Sequence, residues 1–307
     1  MTESALNEAL FRHSFLIAVI LGTLSRFLVL RIKDRQYPTR PQDYIEQIII
    51  AGLTSSLGAI ALPALIDKEF AALTFLAIGI QQFQGISQQE KISLSNIDED
   101  ELVPKGDEYI QEISSTYEVR SYVSLFTALF SSIVYILIAR RFGENIWICS
   151  SFAILTALIT GLIFRRILRR NNINDIATIK EAKLYFDGPI MKVDDIVMTN
   201  IGLKSTQQKF LKKGIALEII PKNKHDFGVI NDLGQRQAII HNIFIHTGVD
   251  KDVDEHDIVS TSKANLNKNS IIIVFMPILN DMNLIKQVAG STPILEVAKG
   301  KQSNYIR

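Results

Sequence analysis

Two apolar stretches, YVSLFTALFSSIVYILIA (Tyr122–Ala139) and IWICSSFAILTALITGLIF (Ile146–Phe164), decide the fold of this chain. Neither contains Asp, Glu, Lys or Arg, and each approaches the roughly 20 residues that an α-helix needs to cross the hydrocarbon core of a bilayer. The short segment RRFGE (residues 140–144) between them supplies charge and a glycine for a turn. The stretch therefore predicts an antiparallel pair of transmembrane helices.

Three more apolar blocks precede this pair. Ser14–Leu30 is interrupted only by Arg26, and cationic residues follow it instead of preceding it, which favours a retained anchor over a cleaved signal peptide. Ile45–Ile66, with Glu46 near its start, is predicted as a second span. Phe70–Ile80 is short, so a re-entrant or interfacial helix competes with a third span.

The composition separates the chain into two phases. Its mean hydropathy is +0.18 with 47% hydrophobic and 21% charged residues, and the long apolar blocks all lie before Arg170. We therefore expect a transmembrane helical domain over residues 1–170 and a soluble domain over residues 171–307. A net charge of +1 gives no reason to expect a nucleic-acid partner, and the single Cys149 excludes an intramolecular disulfide or a cysteine-cluster metal site.

Loop charge predicts the orientation, because Lys and Arg accumulate on the cytoplasmic side. With five spans, the cytoplasmic flanks carry Arg31, Lys33, Arg35, Arg40, Lys91, Lys105, Arg120, Arg165, Arg166, Arg169 and Arg170. The opposite flanks carry Arg12, Lys68, Arg140 and Arg141. We therefore expect a multi-pass protein of the cell membrane, with its N-terminus outside and its soluble domain in the cytoplasm.

Polar residues inside apolar spans are candidates for function. Arg26 lies near the cationic end of its helix, so its side chain can reach the interface, and Glu46 enters the next helix from the same side. The two residues are predicted to form a polar membrane pair. A structural pair and part of an ion path are both consistent with this pattern.

Small residues spaced four apart predict faces where helices approach closely in lipid. The predicted packing positions are Gly52 and Ser56, offset by Ser55 and Ala59; Ala128 and Ser132, following Ser124; and Ala153, Ala157 and Gly161. Packing within one bundle and packing between copies in a homo-oligomer both remain open.

The segment from Gln84 to Ser121 is too polar to span and is predicted as a loop (residues 84–121). Its acidic run, Asp98–Glu101, lacks the spacing of a calcium loop and is expected to be solvated. Beyond Pro104, the apolar and aromatic residues predict an interfacial helix that leads into the next span; they are Tyr109, Ile110, Ile113, Tyr117 and Val119.

Short apolar runs separated by turn residues predict a soluble α/β domain after residue 171. The predicted strands are Lys183–Phe186 and Ile190–Val193 as a hairpin, then Ile196–Asn200, Ile215–Pro221, Ile271–Met276 and Pro293–Val297. The predicted helices are Leu203–Lys213, Leu233–Thr247 and Asp281–Ala289. Because helices alternate with strands, we expect a mixed sheet with parallel pairs.

The soluble part shows no recognisable catalytic, cofactor-binding or metal-binding motif, so we expect no enzyme activity and no cofactor. His241 and His246 diverge on their helix, and His256 lies in an acidic loop, where a solvated residue is favoured over a metal ligand. The polar helix start at Gln235, Arg236 and Gln237 is predicted as a contact with a partner or another domain.

Several motifs along the chain resemble the YIEGIA family, named for a Tyr-Ile-Glu-Gly-Ile-Ala motif. They are Gly22-Thr-Leu-Ser-Arg26, Leu30-Arg31, Asp34-Arg-Gln-Tyr-Pro38, Pro41, Tyr44-Ile-Glu46, Ala51-Gly52, Leu57-Gly-Ala59, Ala61-Leu-Pro-Ala-Leu65, Thr74-Phe-Leu-Ala77, Gln81-Gln-Phe83, Phe186-x-Gly188-Pro189, Asn200-x-Gly202-Leu203, Pro221-Lys-Asn223 and Leu233-Gly-Gln-Arg-Gln-Ala-Ile239. The chain departs from the name-giving motif at Gln47 and Ile49, which stand in place of Gly and Ala.

This resemblance implies a membrane protein of spore-forming Firmicutes, in a sporulation setting of the forespore or mother cell, with a small soluble capping-complex subunit as partner. Together with the topology, it leads us to expect a non-catalytic assembly or scaffold component that binds itself or that partner. The alternative is an ion channel or small-solute transporter whose path is lined by Arg26, Glu46, Gln81 and Gln82.

Overall fold

The computed structural model describes residues 8–30, 41–67, 70–99, 101–143, 145–168, 171–251 and 258–300. These residues fall into two compact units: a helical unit within Met1–Glu90 and Ile113–Arg169, and a C-terminal unit within Lys91–Glu112 and Arg170–Arg307. The segment Lys91–Glu112, predicted as part of the transmembrane domain's loop, thus belongs to the same unit as the C-terminal residues.

Five long helices make up the first half of the chain: α1 (Glu8–Leu30), α2 (Pro41–Ile66), α3 (Phe70–Glu99), α4 (Asp107–Phe142) and α5 (Ile146–Ile167). By length and composition, α1, α2, α4 and α5 can each cross a membrane. The third predicted block forms only the first part of α3, whose second half is polar, and α3 is not among the described helices that meet these criteria. The sequence-based bounds of the α4–α5 pair are confirmed, with Gly143 at φ +89° between the two helices.

Close backbone approach holds α1, α2 and α4 together. A Cβ on Gly58 would lie 2.1 Å from the backbone oxygen of Leu125, and one on Gly22 would lie 2.5 Å from Ser55 Oγ. Ser132 donates a hydrogen bond to the backbone oxygen of Ala59 at 3.2 Å. Only residues with little or no side chain permit such short separations between helices.

The predicted packing positions on α4 and α5 lie inside this unit. Ala128 is fully buried in a cluster with Ala18 and Ala59, and Ala153 in another with Cys149 and Tyr135. Ala157 is buried, and a Cβ on Gly161 would lie 3.3 Å from Leu28.

The face predicted on α2 is displaced from Gly52 and Ser56. A Cβ on Gly52 would meet nothing within 4 Å, and Ser56 bonds within its own helix to the Gly52 backbone oxygen. The close contacts are made by Ser55, Gly58 and Ala59, because these residues lie on the side of α2 that faces its neighbours.

Large apolar side chains cover the outside of the helices. On α1 the exposed positions are four apart, at Leu16, Ile20, Leu24 and Leu28. On α5 they include Trp147, Phe152, Leu155, Leu158, Leu162 and Ile167. A water-soluble monomer rarely exposes so much contiguous apolar surface.

The C-terminal unit contains seven strands and six further helices. The strands are β1 (Ala177–Ala182), β2 (Leu184–Asp187), β3 (Ile190–Val193), β4 (Ile196–Asn200), β5 (Ile215–Pro221), β6 (Ser260–Asn265) and β7 (Ser270–Phe275). The helices are α6 (Ile173–Ile176), α7 (Lys204–Lys213), α8 (Phe227–Asn231), α9 (Leu233–Thr247), α10 (Met282–Gly290) and α11 (Glu296–Lys299), with a 3₁₀ turn over Lys224–Asp226.

The strands form two antiparallel sheets, in the orders β1-β5-β7-β6 and β2-β3-β4, so the prediction of parallel pairs is wrong. The chain does return through α8 and α9 to a strand parallel in direction to β5. That strand is β6, and β7 then turns back and inserts between the two. The polar sequence of β6, STSKAN, gave no strand signal, so the reversal was missed.

Most of the predicted elements are confirmed, including the hairpin of β2 and β3, the strand β5, and the helices α7, α9 and α10. All six residues of β7 are buried, as expected for a strand covered on both faces. The strand predicted at Pro293–Val297 is wrong. Pro293 makes only an isolated bridge to Asn172, and the residues after it form α11.

Candidate functional site

A buried arginine joins three helices of the helical unit. Arg26 on α1 is only 1% exposed, and its Nε and Nη2 atoms donate to Oε1 of Gln47 on α2 at 2.9 and 2.8 Å. Its Nη1 atom lies 3.4 Å from the hydroxyl of Ser121 on α4. A second buried arginine, Arg120, lies close enough to repel it. This cluster is called the arginine junction.

The arginine junction contains Gln47 where sequence analysis predicted Glu46. Glu46 is exposed, and the hydrogen bonds of Arg26 in the described structure go to Gln47 and Ser121. Successive residues on a helix point about 100° apart, so turning Gln47 toward Arg26 turns Glu46 away. Gln81 and Gln82 are also exposed, so the residues predicted to line a path are not brought together.

Buried hydroxyl groups continue from this junction along the helical unit. Ser55, Ser124, Thr127 and Ser131 are fully buried, and their hydroxyls have no hydrogen-bond partner within the described residues. On α4 these hydroxyls follow Ser121 at intervals of three or four, which places them on one helix face. This spacing was visible in the sequence but was read only as small-residue packing.

A second site forms where the segment between α3 and α4 folds onto the C-terminal unit. The Asp98 carboxylate accepts hydrogen bonds from the backbone nitrogens of Lys105 and Gly106, at 2.5 and 3.0 Å, and lies 3.7 Å from Lys105 Nζ. The Lys105 side chain also pairs with Glu101. Asp98 is only 6% exposed, so the expectation of a solvated acidic run is wrong for this residue. Asp100 lies outside the described residues.

His241 on α9 is covered by this segment. Its Nδ1 atom lies 2.7 Å from the backbone oxygen of Val103, and Tyr109 packs edge-on at 6.3 Å. Glu101 lies 3.7 Å from the same nitrogen. Burial lowers the pKa of His241 below 6.5, so at neutral pH the ring is uncharged and Nδ1–H donates to Val103.

The glutamines predicted as partner contacts are occupied within the C-terminal unit. Gln237 donates to the backbone oxygen of Pro104 at 2.6 Å. Gln235 is fully buried, donating to the Pro293 oxygen at 3.0 Å and accepting from the Leu295 nitrogen at 2.8 Å. Because both side chains hold parts of this unit together, the structure leaves neither available as described to a separate partner.

Arg236 is the predicted contact residue with unused capacity. Its Nη1 atom lies 3.5 Å from the Ser262 hydroxyl, and its buried Nε has no hydrogen-bond partner among the described residues. Burial lowers the pKa of Arg236, although Asp232 opposes the shift, and the guanidinium remains charged at neutral pH.

A further connection ties the start of α4 to the end of the chain. The Glu112 carboxylate accepts a hydrogen bond from the backbone nitrogen of Glu296 at 3.1 Å. Val103, Tyr109 and Ile110 are buried at 8, 5 and 1% exposure. Together with Asp98, Glu101, Lys105 and Gly106, these residues form what is called the docked segment (residues 98–112). Its apolar residues were noticed in the sequence but were assigned to a membrane interface.

The remaining histidines do not assemble a metal site within the described structure. His246 lies 2.9 Å from the Asn242 backbone oxygen, one turn back along α9. No group of three potential metal ligands occurs among the described residues. His256 and its acidic neighbours lie outside them.

Comparison with known proteins identifies relatives over nearly the whole chain. The sequence model of the YIEGIA protein family matches residues 14–305. An uncharacterized protein of Bacillus subtilis (strain 168), YphB, is 32% identical over 295 residues, which cover 96% of this chain and 96% of that protein. No solved structure matches significantly.

Proposed function

The chain belongs to the YIEGIA family, and we propose that it is an integral membrane protein with a non-catalytic assembly role during sporulation. In this proposal its C-terminal unit binds a second copy or a small soluble capping partner. The sporulation setting and the capping partner are carried over from the family resemblance.

The apolar surface of the helical unit supports insertion in a membrane. Trp147 on α5 is 82% exposed and Ile167 is 69% exposed, while the small and polar residues of the same unit are buried. Hydrocarbon solvates such side chains at no cost, whereas water does not. The charged ends of α4 and α5, at Arg140 and Arg165, suit positions at the bilayer surfaces.

The docked segment supports an orientation. Because residues 91–112 and 170–307 form one compact unit, both must lie on the same side of the membrane. The pair α4 and α5 crosses twice between them, which satisfies this requirement. We propose that α3 also crosses, with five spans in all, so that the N-terminus is outside and the C-terminal unit is cytoplasmic.

One observation carries the assembly role. The C-terminal unit is joined to the helices by three chain connections, at residues 90–91, 112–113 and 169–170, instead of one. A domain held at three points has fewer accessible positions than a domain on a single linker. Such an attachment favours a protein that presents a binding surface at a fixed place in the membrane.

Affinity purification of the full-length chain from sporulating cells tests the assembly role. We expect a tagged copy to recover either an untagged second copy or a small soluble protein after crosslinking. A matched preparation of the Ile110→Ala variant, in which the docked segment is weakened, should recover less. If neither a second copy nor a small soluble protein is recovered, the assembly role is wrong.

Cysteine accessibility tests the orientation. In a Cys149→Ala background, Lys68→Cys and Asn223→Cys are labelled with a membrane-impermeant maleimide in intact cells. Five spans predict labelling at position 68 only, because position 223 is cytoplasmic. Labelling of both positions, or of neither, would place them on the same side and exclude a crossing by α3.

A second candidate function is a channel or transporter. The buried hydroxyls of Ser55, Ser124, Thr127 and Ser131, without hydrogen-bond partners in the described structure, favour it because such groups elsewhere bind water or ions. Flux of protons and monovalent ions into proteoliposomes tests this candidate. A flux that Ser124→Ala and Ser131→Ala together abolish would support it; no flux above protein-free vesicles would exclude it.

A further inference from the structure

Helix α7 of the C-terminal unit is basic and carries its charge on two distinct faces. It contains Lys204, Lys209, Lys212 and Lys213 and no acidic residue. Thr206 and Phe210 are buried and attach the helix to the unit. The remaining surface is divided by the positions of the four lysines.

Two of these lysines are already neutralised. Lys213 Nζ lies 2.7 Å from the Asp250 carboxylate. This bond lowers the pKa of Asp250, and Lys209 lowers it further from a greater distance. Lys209 and Lys213 are four residues apart and therefore share one face of α7.

The other two lysines lie on an exposed face without a described carboxylate partner. Lys204, Gln208 and Lys212 follow one another at intervals of four, and all three are exposed. Leu211 lies between them and is 57% exposed, and Leu203, just before the helix, is 64% exposed. This set of five residues is called the α7 face.

We propose that the α7 face docks on the anionic surface of a lipid bilayer. Exposed leucines flanked by unpaired lysines match such a surface, because the apolar side chains enter the boundary of the acyl chains while the ammonium groups meet phosphates. Each lysine near an anionic surface is expected to change the docked-to-undocked ratio by about fivefold. The inference rests on the proposed membrane insertion, which keeps this unit permanently near a bilayer.

The test uses the full-length chain with Cys149→Ala in lipid nanodiscs. A Gln208→Cys variant carries an environment-sensitive fluorophore on the α7 face, and doxyl-labelled lipid serves as quencher. Discs of phosphatidylcholine alone are compared with discs that also contain phosphatidylglycerol. We expect strong quenching only with the anionic lipid, and weaker quenching at high salt.

Two pairs of substitutions on the same helix serve as matched variants. Lys204→Gln with Lys212→Gln should abolish the quenching, whereas Lys209→Gln with Lys213→Gln should retain it. Equal quenching in neutral and anionic discs, or equal losses from the two pairs, would overturn the proposal. So would shielding of the fluorophore by an added protein extract in place of quenching by lipid.

A fluorophore at Leu158 on the exposed side of α5 separates the two hypotheses. Quenching at position 158 without quenching at position 208 rejects docking of the α7 face and leaves membrane insertion intact. An absence of quenching at both positions rejects insertion as well, and with it the proposed function.

Discussion

The helical unit and the C-terminal unit place their apolar side chains in opposite ways. Helix α5 exposes most of its large apolar residues and buries Ala153 and Gly161, whereas β7 buries all six of its residues, including Phe275. The first unit is held by close approach of small residues and the second by a core of large ones. The difference indicates that the two units are built for different solvents, hydrocarbon and water.

The largest effect should come from breaking close approach in the helical unit. Gly58→Leu places side-chain atoms against the Leu125 backbone oxygen, which is 2.1 Å from even a Cβ. Because backbone must move, we expect a cost above the ~1–3 kcal/mol typical of overpacking, and no folded protein on size exclusion in detergent. Gly52→Leu is the matched control, since nothing lies within 4 Å of a Cβ there. Equal losses from both variants would contradict close approach at Gly58.

A large-to-small change in the docked segment sharpens the contrast. Ile110→Ala should destabilise the C-terminal unit by about 2–5 kcal/mol, because Ile110 is 1% exposed and its removal leaves a cavity. The readout is protease cleavage of the C-terminal unit in the full-length protein as temperature rises. Ile97→Ala, at a position 58% exposed, should leave cleavage unchanged. If Ile110→Ala behaved like this control, residues 98–112 would not belong to the core.

A smaller effect is expected at the arginine junction, where charge is buried among helices. Gln47→Ala removes the acceptor of two hydrogen bonds from Arg26 and should cost about 1–3 kcal/mol. A double-mutant cycle with Arg26→Met, followed by thermal unfolding in detergent, should show coupling of about 0.5–3 kcal/mol. The same cycle with Glu46→Ala should show almost none. Stronger coupling to Glu46 than to Gln47 would restore the predicted ion pair.

The smallest effect concerns pH. Burial lowers the pKa of His241, so the stability that depends on its neutral ring is complete above pH 6.5 and declines as the pH falls below that value. The melting temperature of the C-terminal unit should therefore drop between pH 7.5 and pH 5.5, to a lesser extent in His241→Gln. His225→Gln, at an exposed position, should retain the wild-type dependence. Identical pH profiles for wild type and His241→Gln would exclude His241 as the cause.

The sequence predicted what local patterns determine. Uninterrupted apolar stretches located α4 and α5, and Asp187-Gly188-Pro189 between two short apolar runs located the hairpin, where Gly188 adopts φ +61°. It failed at β6, whose polar residues pair with β7 at the edge of the sheet. Edge strands need little apolar character, so such a strand has no periodic signal.

The candidate sites depended on information that is not local. Val103 and His241 are 138 residues apart, and only the tertiary structure brings them together. Gln47 was noted as a departure from the Tyr-Ile-Glu-Gly-Ile-Ala motif, but its role required knowing which side of α2 faces Arg26. Glu46 drew attention because it is charged, although one step along a helix separates a buried position from an exposed one.

The division of the C-terminal unit between two stretches of chain has a consequence for biosynthesis. Residues 98–112 leave the ribosome well before Gln235, His241 and Leu295, the residues that they and α9 require. The early piece must wait, with Tyr109 and Ile110 uncovered, until α4 and α5 have been threaded through the translocation machinery. If either helix failed to insert, the two pieces would be stranded in different compartments. Completion of this unit thus acts as a checkpoint on correct threading, and misinserted chains would be left open to quality-control proteases.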